Sequence, residues 1–135
     1  MKRPYYPFCV QIEFEQGCNR DCKFCGTAGM EKKFYFADET TILHTAELLK
    51  GFGYKGRILL AGHGEPTLHP NIAKLVGIIR GELPKAHISL FTNGAGIFKN
   101  PMLIHQIFSA GADAVMFDEY SDSRIGGEGF RNPDD

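Results

Sequence analysis

The stretch Ile58-Leu59-Leu60-Ala61-Gly62-His63-Gly64-Glu65-Pro66-Thr67-Leu68-His69-Pro70, running on into Asn71-Ile72-Ala73-Lys74-Leu75-Val76-Gly77-Ile78-Ile79, decides the fold. It reads as a short buried strand over 58–61, a glycine-rich turn and a helix. Asn71 is a candidate N-cap, and Ile72, Leu75, Val76 and Ile79 recur at three- and four-residue spacing. A short continuous apolar run suits a strand covered on both faces, as in a parallel sheet.

The same unit recurs on either side. Upstream, Phe8 to Phe14 alternates Val10, Ile12 and Phe14 against Cys9, Gln11 and Glu13, and reads as a strand. Asp38 then caps a helix carrying Ile42, Leu43, Ala46 and Leu49, with Gly51 as its stop. Downstream, 87–91 and 114–117 read as strands. Between them Asn100-Pro101 opens a helix with Leu103, Ile104, Ile107 and Phe108 as its stripe, ended by Gly111. The order β-α-β-α-β-α-β predicts an α/β domain with a parallel sheet and right-handed crossovers. No linker or low-complexity tract interrupts it. The tail after Asp122 has no helical stripe and is expected to be loose.

Composition bounds the rest. A chain of 135 residues, 43% hydrophobic, suits one compact domain and is too apolar for disorder. Fifteen Lys and Arg against 16 Asp and Glu leave a net charge of −1. That balance argues against a module holding nucleic acid by charge alone, though not against a nucleic acid read by shape. Pro4-Tyr5-Tyr6-Pro7 stands where a signal peptide needs an apolar core, and no apolar run approaches a membrane span. A cytoplasmic location is expected, where four cysteines point to metal binding or catalysis rather than disulfides.

Cys18-Asn19-Arg20-Asp21-Cys22-Lys23-Phe24-Cys25 packs three thiols into eight residues, just after the first strand and between Gly17 and Gly26. Three thiolates at this spacing would bind three irons of a [4Fe-4S] cube and leave the fourth open for chemistry. Two blander readings compete: a structural zinc site with His63 or His69 as fourth ligand, and three unrelated buried cysteines. An electron-carrying ferredoxin needs four thiolates per cluster. Only Cys9 remains, and core packing is its expected role.

The C-x3-C-x2-C spacing with Phe24 before the last cysteine resembles the cluster loop of the radical S-adenosylmethionine (radical SAM) superfamily. Gly64-Glu65-Pro66 is similar to the family's Gly-Gly-Glu-Pro segment, with His63 where the first glycine usually sits. Thr92-Asn93-Gly94 resembles its Thr-Asn-Gly strand end. The resemblance implies that Cys18, Cys22 and Cys25 hold a [4Fe-4S] cluster whose open iron chelates SAM. It places Phe24 near the adenine, Gly64 and Glu65 at the ammonium of the methionine moiety, and Thr92 and Asn93 in the SAM site. Either Asp118 or Ser121 would contact the ribose or sulfonium side. It implies reductive cleavage to a 5′-deoxyadenosyl radical that abstracts a substrate hydrogen, with a flavodoxin- or ferredoxin-type electron donor. On substrate it is nearly silent, leaning towards peptide modification or cofactor synthesis. The alternative is a non-catalytic α/β binding module stabilised by zinc or an Fe–S cluster.

The four polar clusters follow the carboxyl ends of successive strands, the face on which parallel α/β barrels build their active sites. The expectation is a partial βα barrel over residues 1–122, with 123–135 as tail. A full eight-unit barrel takes about 250 residues. The family's usual six-unit core would also need more chain. A truncated or split protein, or completion by a second copy or a partner chain, is therefore expected.

Overall fold

A computed structural model describes residues 7–31 and 33–118. In chain order it contains β1 (Cys9–Ile12), β2 (Glu15–Gln16), β3 (Tyr35–Phe36), α1 (Glu39–Gly51), β4 (Arg57–Leu60), a single 3-10 turn (Pro66–Leu68), α2 (Ile72–Glu82), β5 (His87–Thr92), α3 (Ala95–Lys99), α4 (Met102–Ala110) and β6 (Ala114–Phe117). Four strands form one parallel sheet in the order β1-β4-β5-β6. Each crossover advances the chain by one place, as in the wall of a βα barrel.

Register decides what the sheet covers. Val10, Ile58 and Ile88 pair across one row, and Ile12, Leu60, Leu90 and Val115 across the next but one. Side chains alternate along a strand, so these rows share a face. Ile42 of α1, Leu75, Val76 and Ile79 of α2 and Ile107 of α4 close over that face and are buried with it. The opposite face carries Gln11, Leu59 and Phe91. Among the described residues it is left partly open, so the expectation of strands covered on both faces holds on one face only. Cys9 also lies on that open side and is exposed. Its expected core role is corrected, because among the described residues no layer covers that face of β1.

Asp38 caps α1 as expected: its Oδ1 accepts from the Thr41 amide at 2.7 Å. The helix does not stop at Gly51 through a left-handed residue. Gly51 is its last helical residue and Gly53, at φ +68°, makes the turn. Leu43 faces outward. Asn71 occupies the cap position of α2 but makes no side-chain cap bond; its amide donates to His69 Nδ1 at 3.0 Å instead. Pro101, rather than Asn100, stands at the cap of α4. Gly111 ends α4 at φ +118°.

The first predicted strand breaks in two. Residues beyond Ile12 leave the sheet, Phe14 turns into the core, and Glu15–Gln16 pairs antiparallel with Tyr35–Phe36. The alternation over 8–14 continues past the point where the chain must turn out into the cysteine loop. The Ala37 amide closes this hairpin on the Phe14 carbonyl at 2.8 Å.

At the far end of the sheet Arg80 is the tie. Its guanidinium donates to the carbonyls of Leu83 (3.3 Å), Pro84 (3.1 Å), Ala86 (2.7 Å) and Gly111 (2.8 Å), and to Asp113 Oδ2 (2.7 Å). Asp113 accepts the Ile88 amide in turn, at 2.7 Å. One side chain thus joins the ends of α2 and α4 to the start of β5.

Candidate active site

Parallel strands deliver their carboxyl ends to one rim, and the loops beyond those ends enclose a cavity of about 320 Å³. Cys18, Cys22, Phe24 and Cys25 line it from the loop after β2. Gly64 and Glu65 reach it from the turn after β4, Thr92 and Asn93 from the end of β5, and Asp118 from beyond β6. The structure therefore brings together every site residue expected from sequence that lies among the described residues. Ser121 lies outside them. Arg20, buried in the cavity wall, adds a positive group that the sequence reading passed over.

Glu65 is 2% exposed. Its Oε1 accepts from the Thr67 amide (3.0 Å), the Thr67 hydroxyl (2.6 Å) and the Thr92 hydroxyl, while Oε2 accepts from the Asn93 amide at 2.7 Å. It caps the 3-10 turn with one oxygen and ties that turn to the end of β5 with both. Thr67 extends the tie, taking the Gly96 amide at 2.9 Å. Gly96 has no room for a side chain, since a Cβ would collide with the Thr67 backbone. Most of the carboxylate's capacity is thus spent on the rim itself, with Oε2 holding one bond.

Glu15, absent from the sequence reading, lies beneath this turn and is 4% exposed. Its Oε1 accepts from the Glu65 amide, which also donates to the Gly17 carbonyl at 3.0 Å. Its Oε2 is buried with no hydrogen-bond partner among the described residues. Burial pushes the carboxyl up to about 8; the Glu65 amide pulls it down, and the nearby Glu65 charge adds to the rise. A neutral acid here at pH 7 holds a bond without burying a second charge. Gly64 is required at its position, because a Cβ would strike Glu15 Oε1.

The two histidines part ways. His69 is 5% exposed, its Nε2 at 2.9 Å from the Ala37 carbonyl and its ring edge-on to Phe14 and Phe36. With Nδ1 taking the Asn71 amide, both ring nitrogens are committed to the fold. His63 is exposed at the cavity and its Nδ1 pairs with Glu13 Oε1 at 2.7 Å. Glu13 also takes the His63 amide, at 3.1 Å, and fills the space a Cβ on Gly62 would need.

The donor set fits an iron–sulfur cluster. The three thiols share one wall of the cavity, yet among the described residues no three His, Cys, Asp or Glu side chains converge closely enough for a single metal ion. A zinc ion needs each thiolate sulfur about 2.3 Å from one centre; a cube of four irons spreads its ligands over a larger core. His69 does not suit the zinc alternative as it stands, because both its ring nitrogens are engaged elsewhere, whereas His63 is engaged through Nδ1 alone.

Comparison with known proteins agrees with the geometry. The chain is 29% identical over 86 residues to the S-adenosyl-L-methionine-dependent 2-deoxy-scyllo-inosamine dehydrogenase of Niallia circulans, across 63% of this chain and 34% of that protein. Its fold is similar to that of BtrN in complex with AdoMet and 2-DOIA, at a TM-score of 0.75 and 23% identity, covering 84% of this chain and 46% of that one. A structure of BtrN in an open conformation gives 0.74 at 20% identity, covering 90% and 55%. The chain thus spans about a third to half the length of these relatives. The sequence profile of the radical SAM superfamily matches residues 12–118. That match runs from the end of β1 to just past β6, over the cysteine loop, the Glu65 turn and the Thr92-Asn93 strand end, and the chain belongs to the radical SAM superfamily.

Proposed function

We propose that the chain is the cluster- and SAM-binding part of a radical SAM enzyme. The observation that carries this is the convergence on one cavity of three cysteines from a single loop with Gly64, Glu65, Thr92 and Asn93 from two other strand ends. Cys18, Cys22 and Cys25 are the proposed ligands of a [4Fe-4S] cluster. When bound, that cluster supplies the electron that cleaves SAM to methionine and a 5′-deoxyadenosyl radical. The residues present bind and orient. Phe24, 53% exposed, offers a ring for the adenine. Glu65 keeps a negative group beside the methionine ammonium while fixing the backbone around it. Leu59 and Phe91 supply apolar walls that keep water from the radical.

The substrate would meet the cavity from the open face of the sheet. A 2-deoxy-scyllo-inosamine dehydrogenase among the relatives supports a small-molecule hydrogen donor over the peptide or cofactor-synthesis lean of the sequence. A flavodoxin or ferredoxin is the proposed electron source, and further βα units or a second chain the proposed cover for the open face. Among the described residues no helix is long and apolar enough to cross a membrane.

The test is anaerobic reconstitution with iron and sulfide. About four irons and four sulfides per chain, and 5′-deoxyadenosine on reduction with SAM, are expected. A colourless protein that takes up zinc in preference to iron overturns the reading in favour of a binding module.

A further inference from the structure

Two of the three proposed cluster ligands have hydrogen-bonding side chains at their sulfurs. Asn93 Nδ2 lies 3.6 Å from Cys18 Sγ and 3.0 Å from Asn19 Oδ1. The orientation of this amide is not arbitrary. The Ala95 amide donates to Asn93 Oδ1 at 2.9 Å, so a flipped side chain would set donor against donor there. The Asn93 backbone is fixed as well, its amide held by Glu65 Oε2. Thr27 Oγ1 lies 3.2 Å from Cys25 Sγ. A thiol could be donor or acceptor in that contact. A sulfur bound to iron is deprotonated and only accepts, which leaves the Thr27 hydroxyl as the donor.

Hydrogen bonds to the sulfurs raise the potential of an iron–sulfur cluster, because they favour the reduced state with its extra negative charge. We propose that Asn93 and Thr27 donate to the sulfurs of Cys18 and Cys25 and so set the reduction potential of the cluster these cysteines hold, an inference that rests on the reading of the site given above. Asn93 is then a positioning residue. Its side-chain oxygen is taken by Ala95 and its nitrogen by Asn19 and Cys18, so it acts on SAM through the first cysteine rather than by contact. The arrangement also joins the three strand-end motifs into one chain of bonds, from Glu65 through Asn93 to Cys18. Thr27, two residues beyond the last cysteine, plays the matching part on the other side of the loop.

The experiment is a spectroscopically monitored redox titration of the reconstituted protein, with Thr27→Val, Thr27→Ser and Asn93→Ala beside the wild type. At a fixed poise, Thr27→Val and Asn93→Ala are each expected to lower the ratio of reduced to oxidised cluster about tenfold, equivalent to ~59 mV for a one-electron couple. Thr27→Ser keeps the hydroxyl and is expected to stay at the wild-type ratio. A purely structural role would lower cluster content without moving the potential of the clusters that form. Should Asn93→Ala not assemble, wild-type protein labelled with nitrogen-15 at the asparagine side chains decides the point: magnetic coupling of that nitrogen to the reduced cluster supports the bond, and none overturns it. A wild type that cleaves SAM, with variants at unchanged potential, overturns this inference alone. A wild type that takes up no iron overturns the reading of the site and this inference together.

Discussion

Glu65→Gln separates two roles for the same carboxylate. If Glu65 served only the methionine ammonium of SAM, the protein without SAM would not notice its loss. The structure requires otherwise. Four donors meet this side chain: the Thr67 amide and hydroxyl and the Thr92 hydroxyl at Oε1, and the Asn93 amide at Oε2. Glutamine has one acceptor oxygen. Its better placement keeps that oxygen among the three donors and puts the NH2 against the Asn93 N–H, donor facing donor.

Losing one bond to a charged acceptor costs about 1.5–3 kcal/mol, and a buried amide left unmatched adds to it. The remaining three bonds weaken as a charged acceptor becomes neutral. A total near 3 kcal/mol follows. No relief of repulsion offsets it at pH 7, because Glu15, with its carboxyl pushed up to about 8 by burial, is already neutral there. Urea denaturation of the reduced apoprotein under anaerobic conditions reads the change as a lower midpoint at constant slope. In a thermal scan the same loss is about 10 °C. A Glu65→Gln apoprotein within about 0.5 kcal/mol of wild type would refute the argument and return Glu65 to a purely ligand-facing role.

Two further changes act away from the cofactors. Arg80→Met keeps the aliphatic stem but strips the donors from the Leu83, Pro84, Ala86 and Gly111 carbonyls. It should destabilise the chain by about 2–3 kcal/mol in the same assay, with iron and sulfide content per folded molecule unchanged. Part of that loss comes through Asp113: burial would raise its carboxyl, but the Ile88 amide and the Arg80 charge together hold it below the usual range. Glu15→Gln tests the buried acid. Wild-type Glu15 binds its proton more tightly folded than unfolded, so its contribution to stability falls as pH rises from about 4.5 to about 8. The steepest slope is about 1.4 kcal/mol per pH unit. The glutamine variant should lose that slope, gaining on the wild type from about pH 4.5 to about pH 8 and no further above it. Parallel stability curves for the two proteins would show that Glu15 does not hold its proton.

The parallel sheet, three of its crossover helices and the rim of site residues could be read from sequence because each rests on a local pattern. The apolar run at 58–60, the stripe at Ile72, Leu75, Val76 and Ile79, and the Asp38 cap need only their neighbours to be recognised. The hairpin of β2 and β3 and the short α3 could not. They span two, two and five residues, too short for any period, and long-range partners hold them: the Phe14 carbonyl reached from Ala37, and the Thr67 hydroxyl reached from Gly96. Cys9 was misjudged for a related reason, since alternation assigns a face but not whether anything covers it.

The same distinction explains the site. Sequence proposes ligand-site residues at positions 18, 22, 25, 65, 92 and 93, and passes over Glu15 and Thr27, which bond to Glu65 and Cys25 of that set. The first group is recognisable by short motifs along the chain; the second is defined by contact beyond them. Glu65 belongs to both. A carboxylate that met only the ligand would stand in the cavity as an uncompensated buried charge whenever the site was empty, a costly state. Four donors from two strand ends remove that cost and leave Oε2 with capacity beyond the Asn93 amide. The ammonium of SAM would then meet a negative group already held in place, so little ordering of the rim remains to be done at the moment of binding.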